Sequence, residues 1–202
     1  MKSMRLLLIM IIFFYCYAIE FVNDELVKQV EQKYGFFAKK RFEKLKQLIS
    51  DLQNADILKK IESVNDFFNN ISYSSDMDTY GVTDYWATPS EFLAKGEGDC
   101  EDYAIAKYFL LKHLGIDSNK MFITYVSVSS YTQAHMVLTY FEIVNSEPLV
   151  LDNFNEKLLP ASKRDDLKPI YYFNPELLND GMKTIAHKKW DELIKHMMEN
   201  KI

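Results

Sequence analysis

The sequence predicts an α+β fold, in which a helical region precedes one buried helix and an antiparallel sheet. Three observations predict it. Residues 23–71 place apolar side chains at helical spacing, residues 103–111 are apolar except for Lys107, and residues 121–152 are rich in β-branched and aromatic side chains. Helices followed by consecutive strands are typical of α+β domains rather than of parallel α/β sheets.

The helical region contains three amphipathic helices, which we expect to be broken near Gly35 and Asn54. Apolar residues recur there every three or four positions, so each helix can bury one face. Residues 72–90 contain turn-forming polar residues without a helical period. We therefore expect a long loop over that stretch, and loops of this length are often functional.

The apolar helix is expected to begin at Cys100 and to end at Leu114, because Gly115 is a common C-terminal stop. After it we expect strands over residues 121–128, 134–144 and 149–152, with a hairpin turn at residues 145–148. A further strand is expected around residues 171–173, and residues 190–198 are expected to form a short C-terminal helix.

The first 18 residues predict a signal peptide and export to the periplasm. Lys2 and Arg5 precede an apolar run over residues 6–15, and Cys16 and Ala18 offer small side chains at the positions that a signal peptidase reads. The alternative is an uncleaved inner-membrane anchor. The run is shorter than the ~20 residues that a membrane span needs, so cleavage is the preferred interpretation.

The charge of the chain excludes binding to nucleic acid through a basic surface. The net charge is −5, and removal of residues 1–18 takes away two basic residues and no acidic ones, which gives −7. Residues 19–202 fit a single domain, which we divide into a helical N-terminal part (19–71), a core (72–175) and a C-terminal helical tail (176–202).

Cys100 is the one cysteine outside the leader, and it is expected in the first turn of the apolar helix. The positive dipole end of a helix favours the thiolate, which is the nucleophilic form of cysteine. However, Asp99, Glu101 and Asp102 place three carboxylates around it, and these disfavour a further anion. Either Cys100 is not a nucleophile, or a positive group beside it offsets these charges.

A base and a carboxylate are available on the predicted strands. His135 lies on the second strand and Asp152 ends the third, and paired neighbouring strands lie ~5 Å apart, within hydrogen-bond reach. The other candidate bases are weaker, because His113 is at the far end of the Cys100 helix and His187 and His196 belong to the charged tail.

Three motifs in this order resemble the bacterial transglutaminase-like cysteine proteinases, the LapG family. The resemblance covers about residues 55–175. The motifs are Tyr85-Trp86-Ala87-Thr88-Pro89-Ser90-Glu91-Phe92, then Gly98-Asp99-Cys100-Glu101-Asp102-Tyr103-Ala104-Ile105-Ala106-Lys107, and then Ala134-His135-Met136-Val137-Leu138 with Leu151-Asp152-Asn153. The resemblance implies a papain-like, transglutaminase-like core, in which a buried catalytic helix packs on an antiparallel sheet.

The resemblance also assigns roles to residues. The catalytic triad of the family falls on Cys100, His135 and Asp152, and its Ca²⁺ ligands fall on Asp99, Glu101 and Asp102. Bound calcium would offset the carboxylates beside the thiol. The alternative is that Asp99 is only an N-cap and that the other two carboxylates only favour the helix dipole.

Residues 76–81 begin like an EF-hand loop, but Ala87 stands where such a loop needs a glutamate. We therefore reject an EF-hand at this position. Asp76 or Asp78 could still complete the calcium shell from the long loop.

The resemblance to this family implies a periplasmic, calcium-dependent cysteine endopeptidase. It would cleave the N-terminal region of a large repeat adhesin and so promote biofilm dispersal, and an inner-membrane cyclic-di-GMP receptor would sequester it. Two alternatives remain open from the sequence. One is a transglutaminase-like acyltransferase, which shares the nucleophilic half-reaction, and the other is a non-catalytic binding module of the same fold.

Overall fold

The computed structural model describes residues 21–129, 134–143, 145–177 and 184–199. The predicted signal peptide lies outside the described residues, as does part of the predicted C-terminal tail. Within those described ranges, no helix is both long and apolar enough to cross a bilayer.

Helices dominate the first half of the described chain, and strands dominate the second half. The helices are α1 (Asp24–Tyr34), α2 (Phe36–Leu52), α3 (Ile57–Asn69), α4 (Asp76–Thr79), α5 (Pro89–Lys95), α6 (Cys100–His113) and α7 (Ile185–Glu199). The strands are β1 (Ser72–Tyr73), β2 (Glu97–Gly98), β3 (Met121–Val128), β4 (Ala134–Tyr140), β5 (Leu149–Leu151), β6 (Leu159–Pro160) and β7 (Leu167–Phe173). The predicted α+β class is confirmed.

The three predicted N-terminal helices are present, and their breaks have local causes. Gly35 joins α1 to α2 with φ +86°, a conformation that glycine adopts without steric cost. Asp56 begins α3, where its side chain accepts a hydrogen bond from the Lys59 N–H at 2.9 Å.

The expectation of one long loop over residues 72–90 is wrong in part. The stretch contains β1, the short helix α4 and the start of α5. Thr88 and Glu91 form a capping box, with reciprocal bonds of 3.1 and 2.9 Å, and Pro89 occupies the first helical position. This signal is present in the sequence. A helix of seven residues is too short to show a clear period, which is why the pattern missed α5.

A five-stranded antiparallel sheet follows in the order β6-β5-β4-β3-β7. Strand β4 pairs with β3 along its whole length and with β5 across the predicted hairpin. It ends at Tyr140, earlier than expected, and Asn145 in the connection has φ +66°. Helix α7 begins at Ile185, five residues earlier than expected.

Helix α6 packs against β4 and α3, and it is buried along most of its length. Alternate residues of β4 point towards it, namely Met136, Leu138 and Tyr140, and all three belong to the main apolar core. This packing fixes the N-terminus of α6, and with it Cys100, at the end of the sheet where His135 enters β4.

Candidate active site

The first turn of α6 is held by backbone hydrogen bonds to a buried carboxylate. Asp102 accepts hydrogen bonds from the N–H groups of Ala87 at 2.9 Å and of Asp99 at 3.2 Å. A Cβ at Gly98 would lie 2.7 Å from the Phe92 ring, so only glycine allows this close approach. Cys100 is therefore placed by a rigid turn, and its side chain is partly exposed.

His135 and Asp152 are directly hydrogen-bonded. His135 Nε2 and Asp152 Oδ1 are 2.7 Å apart, and both side chains are almost completely buried. The imidazole stacks on the Phe154 ring, with centroids 4.1 Å apart and planes 8° from parallel. His135 Nδ1 is buried and has no hydrogen-bond partner among the described residues. That nitrogen is thus available to exchange a proton with a group in the adjoining cleft.

Asp152 is held as an anion by a residue that the sequence did not suggest. The other carboxylate oxygen, Oδ2, accepts a hydrogen bond from Arg164 Nη2 at 2.6 Å, and Arg164 also pairs with Asp166. Burial alone would raise the pKa of Asp152, but hydrogen bonds from His135, Phe154 N–H and Arg164 lower it to about 2. Arg164 lies in a charged run that is typical of a solvent-exposed surface, so sequence reasoning had no signal for it.

The backbone of Asp152 is tied to the N-terminal helices. Asn69 of α3 donates a hydrogen bond to the Asp152 carbonyl at 2.8 Å, and Lys107 of α6 donates to the Asn69 side-chain oxygen at 2.7 Å. Asn65, one turn earlier in α3, donates to the Glu156 carbonyl at 2.8 Å. The loop that carries Asp152 is therefore fastened at two points to α3.

Cys100 and His135 line the same cleft, which has a volume of about 780 Å³. Its walls include five aromatic side chains, namely Tyr73, Trp86, Tyr125, Phe154 and Tyr171. Trp86 is buried against Trp190 of α7, so it forms a fixed wall of the cleft. A cleft of this size accommodates an extended peptide segment, and it brings two of the three predicted catalytic residues to one surface while the third supports the imidazole.

The carboxylates around Cys100 oppose its ionisation, as the sequence predicts. The thiol donates a hydrogen bond to Glu101 Oε2 at 3.1 Å. Burial raises the pKa of the Cys100 thiol well above its ordinary value, and the Glu101 carboxylate raises it further. A hydrogen bond from the Met136 backbone lowers it only in part. In this surrounding the thiol stays protonated at neutral pH unless positive charge is added.

Further carboxylates from residues 76–84 lie near those of α6, and one of them, Asp84, pairs with Lys189. Asp76, Asp99 and Asp102 each place a carboxylate oxygen within 4.8 Å of the others, and Asp76 and Glu101 form a similar group with Asp84. Burial and the Glu101 charge raise the pKa of Asp99 to about 9. Burial is also the main cause of the raised pKa values of Asp76 and Asp102.

This carboxylate cluster fits a hard cation. One oxygen of Asp76 and one of Asp99 are buried without a hydrogen-bond partner among the described residues. Buried oxygens without partners are costly, and oxygen-rich sites of this kind are those that Ca²⁺ occupies. The predicted ligands fall into overlapping groups: Asp99 lies with Glu101 in one and with Asp102 in another, and Asp76 and Asp84 belong to these or to a third group.

The fold and the site together define a class of protein. A thiol at the start of a buried helix, lining one cleft with a histidine that bonds to an aspartate just after the neighbouring strand, is the arrangement of transglutaminase-like cysteine enzymes. The chain belongs to the bacterial transglutaminase-like cysteine proteinases, because the model of that family matches residues 38–166. The resemblance inferred from the three motifs is thereby confirmed.

Solved structures of LapG from Legionella pneumophila are similar to the chain over most of its length. One is 42% identical with a TM-score of 0.74, and it covers 86% of this chain and 96% of its own. A calcium-bound LapG structure is 41% identical (TM-score 0.73, 86% and 98% covered), and an EGTA-treated one is 40% identical (TM-score 0.73, 86% and 96% covered). In the comparison with curated proteins, nothing matches the chain.

Proposed function

We propose that the chain is a periplasmic, calcium-dependent cysteine endopeptidase that cleaves the N-terminal region of a large repeat adhesin. The observation that carries the proposal is the buried His135–Asp152 pair, whose Nδ1 atom has no described partner and adjoins the cleft that Cys100 lines. Membership of a cysteine proteinase family supports hydrolysis as the reaction.

In the proposed mechanism, Cys100 Sγ attacks the scissile carbonyl carbon while its proton passes to His135 Nδ1. The imidazolium then protonates the leaving amine, and the peptide C–N bond breaks to give a thioester. His135 next takes a proton from water, whose oxygen attacks the thioester and releases the acid product and the thiol. Asp152 accepts a hydrogen bond from Nε2 throughout, so it stabilises the imidazolium and fixes its orientation.

Calcium enters the proposal through the carboxylates beside the thiol. Asp76, Asp99, Glu101 and Asp102 would hold the ion, and the calcium-bound LapG structure supports this choice of metal. When bound, the ion supplies positive charge that favours the thiolate of Cys100. The carboxylate chemistry also predicts that Mg²⁺ substitutes poorly, because it demands compact octahedral geometry and gives up its waters reluctantly.

The proposal is tested by incubating residues 19–202 with an N-terminal fragment of a repeat adhesin and identifying the products by mass spectrometry. Cys100→Ala and His135→Ala should each abolish cleavage without a large change in thermal unfolding. His113→Ala is the matched control, because His113 lies at the far end of α6, and it should cleave at the wild-type rate. Cleavage by Cys100→Ala would refute the proposed nucleophile.

The same assay separates hydrolysis from acyl transfer and from mere binding. An added primary amine should leave the products unchanged if water is the acceptor, whereas an amine adduct would indicate an acyltransferase. A binding module would retain the fragment uncut. Chelation with EGTA should stop cleavage, and added Ca²⁺ should restore it; full activity in EGTA would remove calcium from the mechanism.

The cellular parts of the proposal rest on the family and on the leader sequence. We expect the chain in the periplasmic fraction with residue 19 at its N-terminus, whereas recovery of the intact leader in membranes would favour an anchored enzyme. A solubilised inner-membrane receptor should retain the chain when cyclic-di-GMP is present and release it when the nucleotide is removed. Retention that is independent of the nucleotide would contradict this form of regulation.

A further inference from the structure

One lysine of α7 is held at the edge of the carboxylate cluster. Lys189 pairs with Asp84, which lies in the loop between α4 and α5, and both residues line the cleft that contains Cys100. The Lys189 ammonium also lies over the Trp86 ring, 5.7 Å from its centroid. Among the lysines and arginines that the structure describes, Lys189 is the one that lines this cleft. The cleft therefore carries a built-in cation next to the residues that fit Ca²⁺.

Asp84 takes part in two arrangements that each suit a cation. Besides its pair with Lys189, it places a carboxylate oxygen within 4.8 Å of oxygens of Asp76 and Glu101. Oxygens at this separation can share one Ca²⁺, since each Ca–O bond is roughly 2.3–2.6 Å long. Asp76 is 3% exposed, and one of its oxygens has no hydrogen-bond partner among the described residues. Asp84 thus lies between a lysine ammonium and a group of oxygens that lacks a cation.

The two cations oppose each other at this carboxylate. An ion and an ammonium that both contact Asp84 would be separated by roughly 5–6 Å. Repulsion between a double and a single positive charge at that distance weakens ion binding at least about tenfold, even with the dielectric constant of water. The Lys189 and Asp84 side chains are 21% and 53% exposed, and a pair so open to solvent is weak. Calcium can therefore displace the ammonium, whose flexible stem lets it move into solvent.

We propose that Asp84 is a further calcium ligand and that Lys189 competes with Ca²⁺ for it. In the ion-free chain the ammonium partly neutralises the cluster, and on binding the ion takes its place at Asp84. Lys189 thereby sets the calcium concentration at which the site fills. The inference rests on the calcium dependence of the proposed function, and it adds a competitor from the chain itself.

Calorimetric titration of residues 19–202 with CaCl₂ at low ionic strength tests the competition. Lys189→Met removes the charge and keeps an unbranched side chain, and it should tighten Ca²⁺ binding at least about tenfold. Lys189→Arg keeps the charge and should bind within about threefold of the wild type. Lys188→Met is the matched control, because Lys188 is the exposed neighbour outside the cleft lining and its loss changes the net charge equally. It should also bind within about threefold of the wild type.

Two further measurements test whether Asp84 is the shared ligand. Asp84→Asn should weaken Ca²⁺ binding, and in that background Lys189→Met should change the affinity by less than about threefold, because a neutral amide no longer holds the ammonium. In NMR spectra of the wild-type chain, saturation with CaCl₂ should move the Cε resonance of Lys189 and leave that of Lys188 in place.

The outcomes separate this inference from the proposed function. Equal or weaker Ca²⁺ binding by Lys189→Met, equally tightened binding by Lys188→Met, or a Lys189 resonance that does not move would each overturn the competition while leaving calcium-dependent proteolysis intact. Absence of Ca²⁺ binding in both the wild type and Lys189→Met would overturn the inference together with the role of calcium. The NMR result uses the wild-type chain, so it stands even where a variant fails to fold.

Discussion

Removing the charge of Lys107 should change how the free energy of unfolding depends on pH, and the size of the change follows from two pKa values. Lys107 lies in the middle of α6, fully buried, and its ammonium group donates to Asn69. Burial lowers its pKa from the ordinary 10.5 to about 7. Between these values the unfolded chain binds more protons than the folded one, so the contribution of Lys107 to stability improves as the pH rises.

The magnitude follows from the two pKa values. At pH 7 the buried ammonium costs about 4 kcal/mol relative to an unperturbed lysine, and at pH 9 the cost falls to about 2 kcal/mol. Lys107→Met keeps the length of the side chain and removes the charge. Between pH 7 and pH 9 the free energy of unfolding of the wild-type chain should therefore rise by about 2 kcal/mol relative to that of Lys107→Met. The contributions of all other groups cancel in this difference.

The measurement is urea unfolding of both proteins at pH 7 and pH 9. Loss of the hydrogen bond to Asn69 adds a constant penalty of about 1–3 kcal/mol to the variant, and this does not depend on pH. Parallel pH profiles for the two proteins would refute the argument that Lys107 is buried with a depressed pKa. Because Asn69 also bonds to the Asp152 carbonyl, kcat of Lys107→Met should fall while KM changes little.

Four other substitutions test particular contacts of the site. Arg164→Gln should lower the free energy of unfolding by about 3–5 kcal/mol in urea titrations and move acid unfolding to higher pH, because it raises the pKa of Asp152; an unchanged acid limb would contradict this. Asp152→Asn should reduce kcat about 10⁴-fold and also lower the thermal midpoint, because the buried Arg164 loses a paired charge; a mild loss of kcat would mean that the carboxylate only supports the loop. Asp76→Asn should weaken Ca²⁺ binding in calorimetry, while Asp78→Asn, its exposed neighbour in α4, should not. Gly98→Ala should cost about 1–3 kcal/mol, because its Cβ meets Phe92 and Asp102; wild-type stability would show that the turn can relax.

The helices and the central strands could be predicted because their signals are local. The period of residues 23–71, the Gly115 stop and the turn before Pro148 each depend on a few neighbouring residues, and the structure has the corresponding elements. The short helix α5 was missed although its capping box is visible in the sequence. Strand β6, with two residues, is too short to show any alternation.

The site could be predicted only in part, because much of it depends on contacts between distant residues. The pairing of His135 with Asp152 could be predicted from the order of the strands. The carboxylates around Cys100 could be predicted because they belong to neighbouring residues in the sequence. Arg164 carries no such signal, since it is recognised only by what it contacts in space, and the sequence names Asp76 only as an alternative to Asp78. The catalytic roles of the predicted triad remain predictions that the proteolysis assay must test.

The fastening of the Asp152 loop to α3 has a consequence for when the chain can act. Asn69 and Asp152 are 83 positions apart, and His135 and Asp152 are 17 apart. Contacts of such long range form only as the whole chain condenses. Under the proposed mechanism, a newly made or still extended polypeptide therefore has the Cys100 thiol but no oriented His135 beside it. Such a chain would not cleave neighbouring proteins, and proteolysis would begin only when folding is complete.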